Sequence, residues 1–127
     1  MREILFKAKR LDNVEWVYGY YVKLNSKHYI IPDYASAWYG IEVDPSTVCQ
    51  YTGLTDKNGV EVFEEDVINV RTSGYAFDLV SVKWGQKDAS WCFLCENGNR
   101  FRMLDSFVYE VIGNIHDKEV EDANRKI

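Results

Sequence analysis

Two cysteines three residues apart, in Cys92-Phe93-Leu94-Cys95, have the spacing of zinc knuckles and of redox pairs. Either chemistry needs a turn or a helix start that brings both sulfurs together. The alternating sequence here predicts a strand, on which residues three apart face opposite sides. Cys49, His28 and His116 are the remaining soft ligands, and they lack ligand-like spacing. The pair therefore reads as ordinary strand cysteines, and no metal or other cofactor is expected. Glu61, Glu64, Glu65 and Asp66 form a second cluster with the oxygen ligands that Mg²⁺ or Ca²⁺ prefers. Asp56-Lys57-Asn58-Gly59, just ahead of it, faintly echoes a calcium loop but lacks the earlier acid and the rest of the loop frame. A solvated acidic edge, which also discourages strand-to-strand aggregation, accounts better for these acids. There is no G-x-S-x-G elbow, no phosphate-cradling glycine loop and no H-E-x-x-H, and the two histidines fall near strand ends or turns. No enzyme is expected.

The sharpest surface clue surrounds Asn97-Gly98, a strong short-range hairpin signal. A two-residue loop there pairs Cys95 with Arg100, Leu94 with Phe101, Phe93 with Arg102 and Cys92 with Met103. Paired side chains share a face. One face then carries Cys92, Leu94, Phe101 and Met103 as a core, and the other Trp91, Phe93, Arg100, Arg102 and Leu104. Rings beside guanidinium groups suit a protein interface, and equally a groove for single-stranded nucleic acid. The alternative is that the N-terminal region covers this face. Trp91, Phe93, Arg100 and Arg102, with Glu61, Glu64, Glu65 and Asp66, make up the candidate interaction surface.

The elements that would position these residues are strands. Residues 3–9 alternate, with Ile4, Phe6 and Ala8 opposite Lys7 and Lys9, and Trp16, Tyr18, Tyr20 and Val22 continue the rhythm. Asn25-Ser26 turns the chain before His28–Ile31, and the pattern lapses between Pro32 and Pro45, where Asp44 or Ser46 can cap a short helical turn. Asp56-Lys57-Asn58-Gly59 closes a hairpin between Thr52–Thr55 and Val60–Phe63. Strands follow at Val67–Val70, Val80–Trp84, Trp91–Glu96, Asn99–Leu104 and Tyr109–Ile115, with a loop over Thr72–Leu79. Five short strands at near-regular spacing suggest a small SH3-like or OB-like β-barrel. The final DKEVEDANRKI reads as a polar tail.

QYTGL, DKNG, the Phe-Glu-x-Asp-Val of FEEDV and the late EVIGNI, in this order, resemble the YopX-like family of small phage and prophage proteins, as does the opening MREILFKAKR. Two positions depart from that pattern: Glu65 stands where the family shows glycine in an E-G-D triplet, and Cys49 where a small residue is expected. If position 65 needs positive φ, a side chain there costs about 1 kcal/mol or more. The resemblance implies an N-terminal β region joined to a C-terminal β-barrel and a phage origin. It implies no activity and offers no catalytic residues.

Composition is consistent with this reading. The 127 residues are 46% hydrophobic, 15% aromatic and 28% charged, in the range of globular domains able to fold without staples. An odd cysteine count of 3 argues against a disulfide-built secreted domain, and no leader or membrane-spanning segment is read, so a bacterial cytoplasmic location is expected. The net charge of -5 disfavours nucleic acid as a partner, though a local basic patch would still serve. The 56–66 stretch carries five acids and one lysine, while Arg2, Lys7, Lys9 and Arg10 make the first strand basic. Those patches could meet within one chain, or between subunits in a head-to-tail ring. The expectation is a mainly β protein: an N-terminal β region over 1–50 packed on a C-terminal barrel over 51–116, with a tail at 117–127. Its expected role is a non-enzymatic, self-associating interaction module with a host or phage protein as possible further partner. Single-stranded nucleic acid binding is the alternative.

Overall fold

The computed structural model describes residues 4–32 and 39–117. Beyond Asp117 the expected polar tail lies outside the described residues, as do Arg2 and part of the irregular stretch after Pro32. The chain is mainly β and divides into two compact units between Gly53 and Leu54.

In the first unit β1 (Phe6–Lys9), β2 (Trp16–Leu24), β3 (Lys27–Ile31), β4 (Ile41–Glu42) and β5 (Cys49–Thr55) form an antiparallel sheet in the order β4-β3-β2-β1-β5. The β2–β3 connection is a two-residue turn at Asn25 and Ser26, both at positive φ (51° and 71°), which matches the strand twist. Asp44 caps a 3-10 turn over Pro45–Thr47 by accepting from the Ser46 N–H at 3.0 Å. Ala8, Val17, Ile30, Ile41 and Val43 form the core.

The alternation expected along β2 is present with its phase inverted. Val17 and Gly19 are buried, while Tyr18 and Tyr20 are exposed. A Cβ at Gly19 would lie 2.2 Å from the carbonyl oxygen of Ile31 on the neighbouring strand, so this position of the sheet needs glycine. In β1, Phe6 and Ala8 face the core as expected, but Ile4 stays exposed and Lys7 is buried. Lys7 Nζ lies 4.7 Å and Lys9 Nζ 5.6 Å from the centre of the Trp16 ring, so both ammonium groups sit over an indole face.

β5 runs on through Gly53 into the second unit, where it forms a hairpin with β6 (Glu61–Phe63) across the Asp56 turn. The remaining strands are β7 (Asp66–Arg71), β8 (Ala76–Gly85), β9 (Ser90–Leu94), β10 (Arg100–Arg102) and β11 (Val108–Asn114), ordered β10-β9-β8-β7-β11. The five strands form an antiparallel sheet that does not close into a barrel; of the partly open SH3-like or OB-like barrel expected, the antiparallel β sheet is what the structure shows. Its core is built on Val62, Ile68, Val70, Val80, Val82, Trp91, Phe93, Met103 and Tyr109. β8 starts four residues earlier than Val80, inside the stretch expected to be loop. A bulge conceals it: Leu79 has φ 52°, its N–H is held by Asn69 Oδ1 at 2.9 Å, and the pairing with β7 shifts between Ile68 and Val70.

Candidate functional site

The acidic stretch is a set of backbone clasps. Asp56 Oδ1 accepts from the N–H groups of Asn58 and Val60, both at 2.8 Å, while Oδ2 accepts from the N–H of Val111 at 3.0 Å. Burial works to raise the Asp56 carboxyl, but the N–H groups of Val111, Val60 and Asn58, with Lys57 nearby, outweigh it and hold the group below its ordinary value. Gly59, at φ 81°, completes the turn. Asp66 is 0% exposed, so its place on a solvated edge is overturned. Its Oδ2 accepts from the Phe63 N–H at 2.8 Å and its Oδ1 from Asn114 Nδ2 at 2.9 Å. A buried carboxylate spanned by such donors holds the turn shut.

Glu61, Glu64 and Glu65 are half-buried. Glu65 does adopt positive φ, 68°, in the turn between β6 and β7. Its carboxylate lies 3.0 Å from His116 Nε2 and 3.7 Å from Lys83 Nζ, and its carbonyl accepts the Ile115 N–H at 3.0 Å. His116 is thus partly buried beside the Glu65 carboxylate. Among the described residues no group of three or more His, Cys, Asp or Glu side chains is placed to hold a metal ion.

The β9–β10 hairpin has a different register from the one expected. Arg100 pairs with Leu94, Phe101 with Phe93 and Arg102 with Cys92. The turn takes one residue more than the two-residue loop: the Gly98 N–H reaches the Cys95 carbonyl at 2.9 Å, Gly98 has φ 90°, and the Cys95 N–H bonds the Asn99 carbonyl at 2.8 Å. This is the turn-plus-bulge loop with glycine in the left-handed position. A slip of one residue exchanges the faces. Trp91 (9% exposed) and Phe93 (0%) turn into the core, and Phe101 stacks on Phe93 with centroids 5.5 Å apart. The proposed face of Trp91, Phe93, Arg100 and Arg102 is therefore split. Phe77, 5.1 Å from both Phe93 and Phe101, joins the inner cluster. All three cysteines are free: Cys95 packs against the core, whereas the Cys92 thiol turns toward the Ser90 carbonyl at 3.7 Å.

What the slip leaves outside is β10 itself. Arg100, Phe101 and Arg102 are all exposed, and among the described residues neither arginine joins an ion pair, in contrast to Arg10 with Asp12 and Arg71 with Asp78. The Cys95–Asn99 bond and the Met103 N–H to Trp91 carbonyl bond (3.0 Å) bracket the ladder and make Phe101 its hydrogen-bonding residue. The N–H and C=O groups of Arg100 and Arg102 consequently point away from β9, along the edge of the sheet. The opposite edge is treated otherwise. On β11 the Tyr109 carbonyl accepts the Lys57 N–H at 2.9 Å and the Val111 N–H is taken by Asp56. In the first unit, β4 is backed by the Leu11 N–H to Glu42 carbonyl bond and the Arg10–Val43 bridge. Arg100 and Arg102 were singled out from the sequence; the edge itself was missed because it depends on register.

These features define a two-sheet antiparallel β protein with clasped turns at 56–66 and one open arginine-bearing strand. Residues 5–119 match the family model described as YopX protein, and the chain belongs to that family. No curated protein matches it. No helix among the described residues is long and apolar enough to cross a membrane.

Proposed function

We propose that this YopX-family chain is a non-enzymatic, phage- or prophage-encoded interaction module that works in the bacterial cytoplasm. The observation that carries the reading is the exposed β10 edge, which no strand covers among the described residues, set against a β11 edge that is closed by two backbone-directed bonds. An open strand with outward N–H and C=O groups is a pairing surface, and proteins that have no use for one usually cover it. The acids of 56–66 do not support a catalytic reading, because Asp56 and Asp66 are occupied with backbone and amide donors. Self-association through a basic first strand loses support as well, since Lys7 and Lys9 lie over Trp16 and Arg10 is paired with Asp12. Two β10 strands set edge to edge would bring guanidinium groups together, which favours an unlike partner.

Tagged protein recovered from phage-infected host lysate, alongside an Arg100→Glu/Arg102→Glu variant and light scattering of both, tests the reading. A partner held by the wild type and released by the variant is expected. A monomer that retains no specific partner overturns it. The second reading, single-stranded nucleic acid, is favoured by the two exposed arginines on β10, which join no ion pair among the described residues, and low-salt titration with a labelled oligonucleotide tests it.

A further inference from the structure

We infer that β10 accepts an extended acidic segment of a partner protein as an added strand, an inference that rests on the interaction-module reading of this edge. The backbone groups of Arg100 and Arg102 face outward two residues apart, the repeat at which a neighbouring strand presents its own donors and acceptors. Side chains of an added strand alternate in step with those of β10. Those level with Arg100 and Arg102 meet two exposed guanidinium groups without a counter-charge among the described residues, so carboxylates fit there. Those level with Phe101 meet a ring 41% exposed that is already stacked on Phe93 and Phe77, so apolar side chains fit there. The ligand chemistry is therefore an acid–apolar alternation in extended form. The same arginines repel a second copy of this edge, which gives the pairing a preference for unlike chains.

Fluorescence anisotropy with the full chain and a labelled Glu-Val-Glu-Val-Glu-Val-Glu peptide tests this. Four controls accompany it: the peptide with Lys for Glu, two versions N-methylated on alternate peptide nitrogens, and a thymidine oligonucleotide. The acidic peptide is expected to bind and the lysine peptide to fail. One N-methylated frame should lose about tenfold or more in affinity while the other keeps it, because only alternate nitrogens face β10. Arg100→Glu/Arg102→Glu should abolish binding. Arg102→Pro should weaken it without removing a bond to β9, with circular dichroism confirming the fold. Equal binding by both methylated frames would reduce the site to a charged patch and overturn strand addition. Preference for the oligonucleotide would overturn the acidic partner. Failure of every peptide to bind folded protein sinks this inference alone, because the lysate capture with the edge variant judges the module reading separately.

Discussion

A carboxylate ringed by three backbone N–H groups is stabilised in its ionised form, and Asp56 is such a group. Its folded value lies below the ordinary 3.8. The stabilisation it contributes is thus complete above that ordinary value and is lost as pH falls through the lower, folded one. Urea unfolding of the wild type should weaken between about pH 5 and 2, and Asp56→Ala should remove that share of the slope while costing about 3 kcal/mol near neutrality. Glu65 permits a cleaner comparison. Glu65→Gly and Glu65→Ala both delete the contacts to His116 and Lys83, so they differ chiefly in how they tolerate φ 68°. The glycine variant should be the more stable by about 1 kcal/mol in denaturant titration. Thiol labelling offers a third test: Cys95, half-buried, should react before the buried Cys49 and Cys92 in native protein.

At the scale of elements, strand identity was legible in the sequence and strand phase was not. The Asp56 turn, the Asn25-Ser26 turn and the strands at 67–70 and 109–115 follow from turn chemistry and alternation. Three features escaped for local physical reasons. On β2 both alternating sets contain residues able to face inward, so alternation alone does not select Val17 over Tyr18, and the 2.2 Å approach at Gly19 reserves that position for glycine. Gly19→Ala should accordingly cost more than the roughly 1 kcal/mol of a tolerated strand substitution, as a drop in melting temperature will show. On β8 the bulge at Leu79 breaks the period. At the β9–β10 turn, Asn97-Gly98 is compatible with loops of more than one length, and one extra residue parted Trp91 and Phe93 from the arginines of the candidate face. Arg100 and Arg102 kept their exposure through that slip because β10 is an edge, whereas Trp91 and Phe93 belong to an inner strand.

For the molecule as a whole, an acidic chain carries a local basic edge. The formal net charge is -5 and the sequence pI about 5.0, so the mutual repulsion that keeps copies apart vanishes near pH 5. The open β10 edge is then guarded by its two arginines alone. Light scattering across pH should show association rising toward pH 5.0, and Arg100→Ser/Arg102→Ser, which lowers the isoelectric point, should enlarge it when each protein is compared at its own isoelectric point. A variant that associates less than the wild type would argue that the arginines recruit copies of the chain instead of repelling them.

The bond from Val111 to Asp56 joins residues 55 positions apart. A ribosome delivers the Asp56 turn well before it delivers the strand that this carboxylate will grip. Until then the nascent segment carries a half-made clasp, its second oxygen waiting on water, and the second sheet lacks its final member. Messages cut short before the codon for Val111 should therefore yield products that proteases clear, however complete their earlier hairpins are.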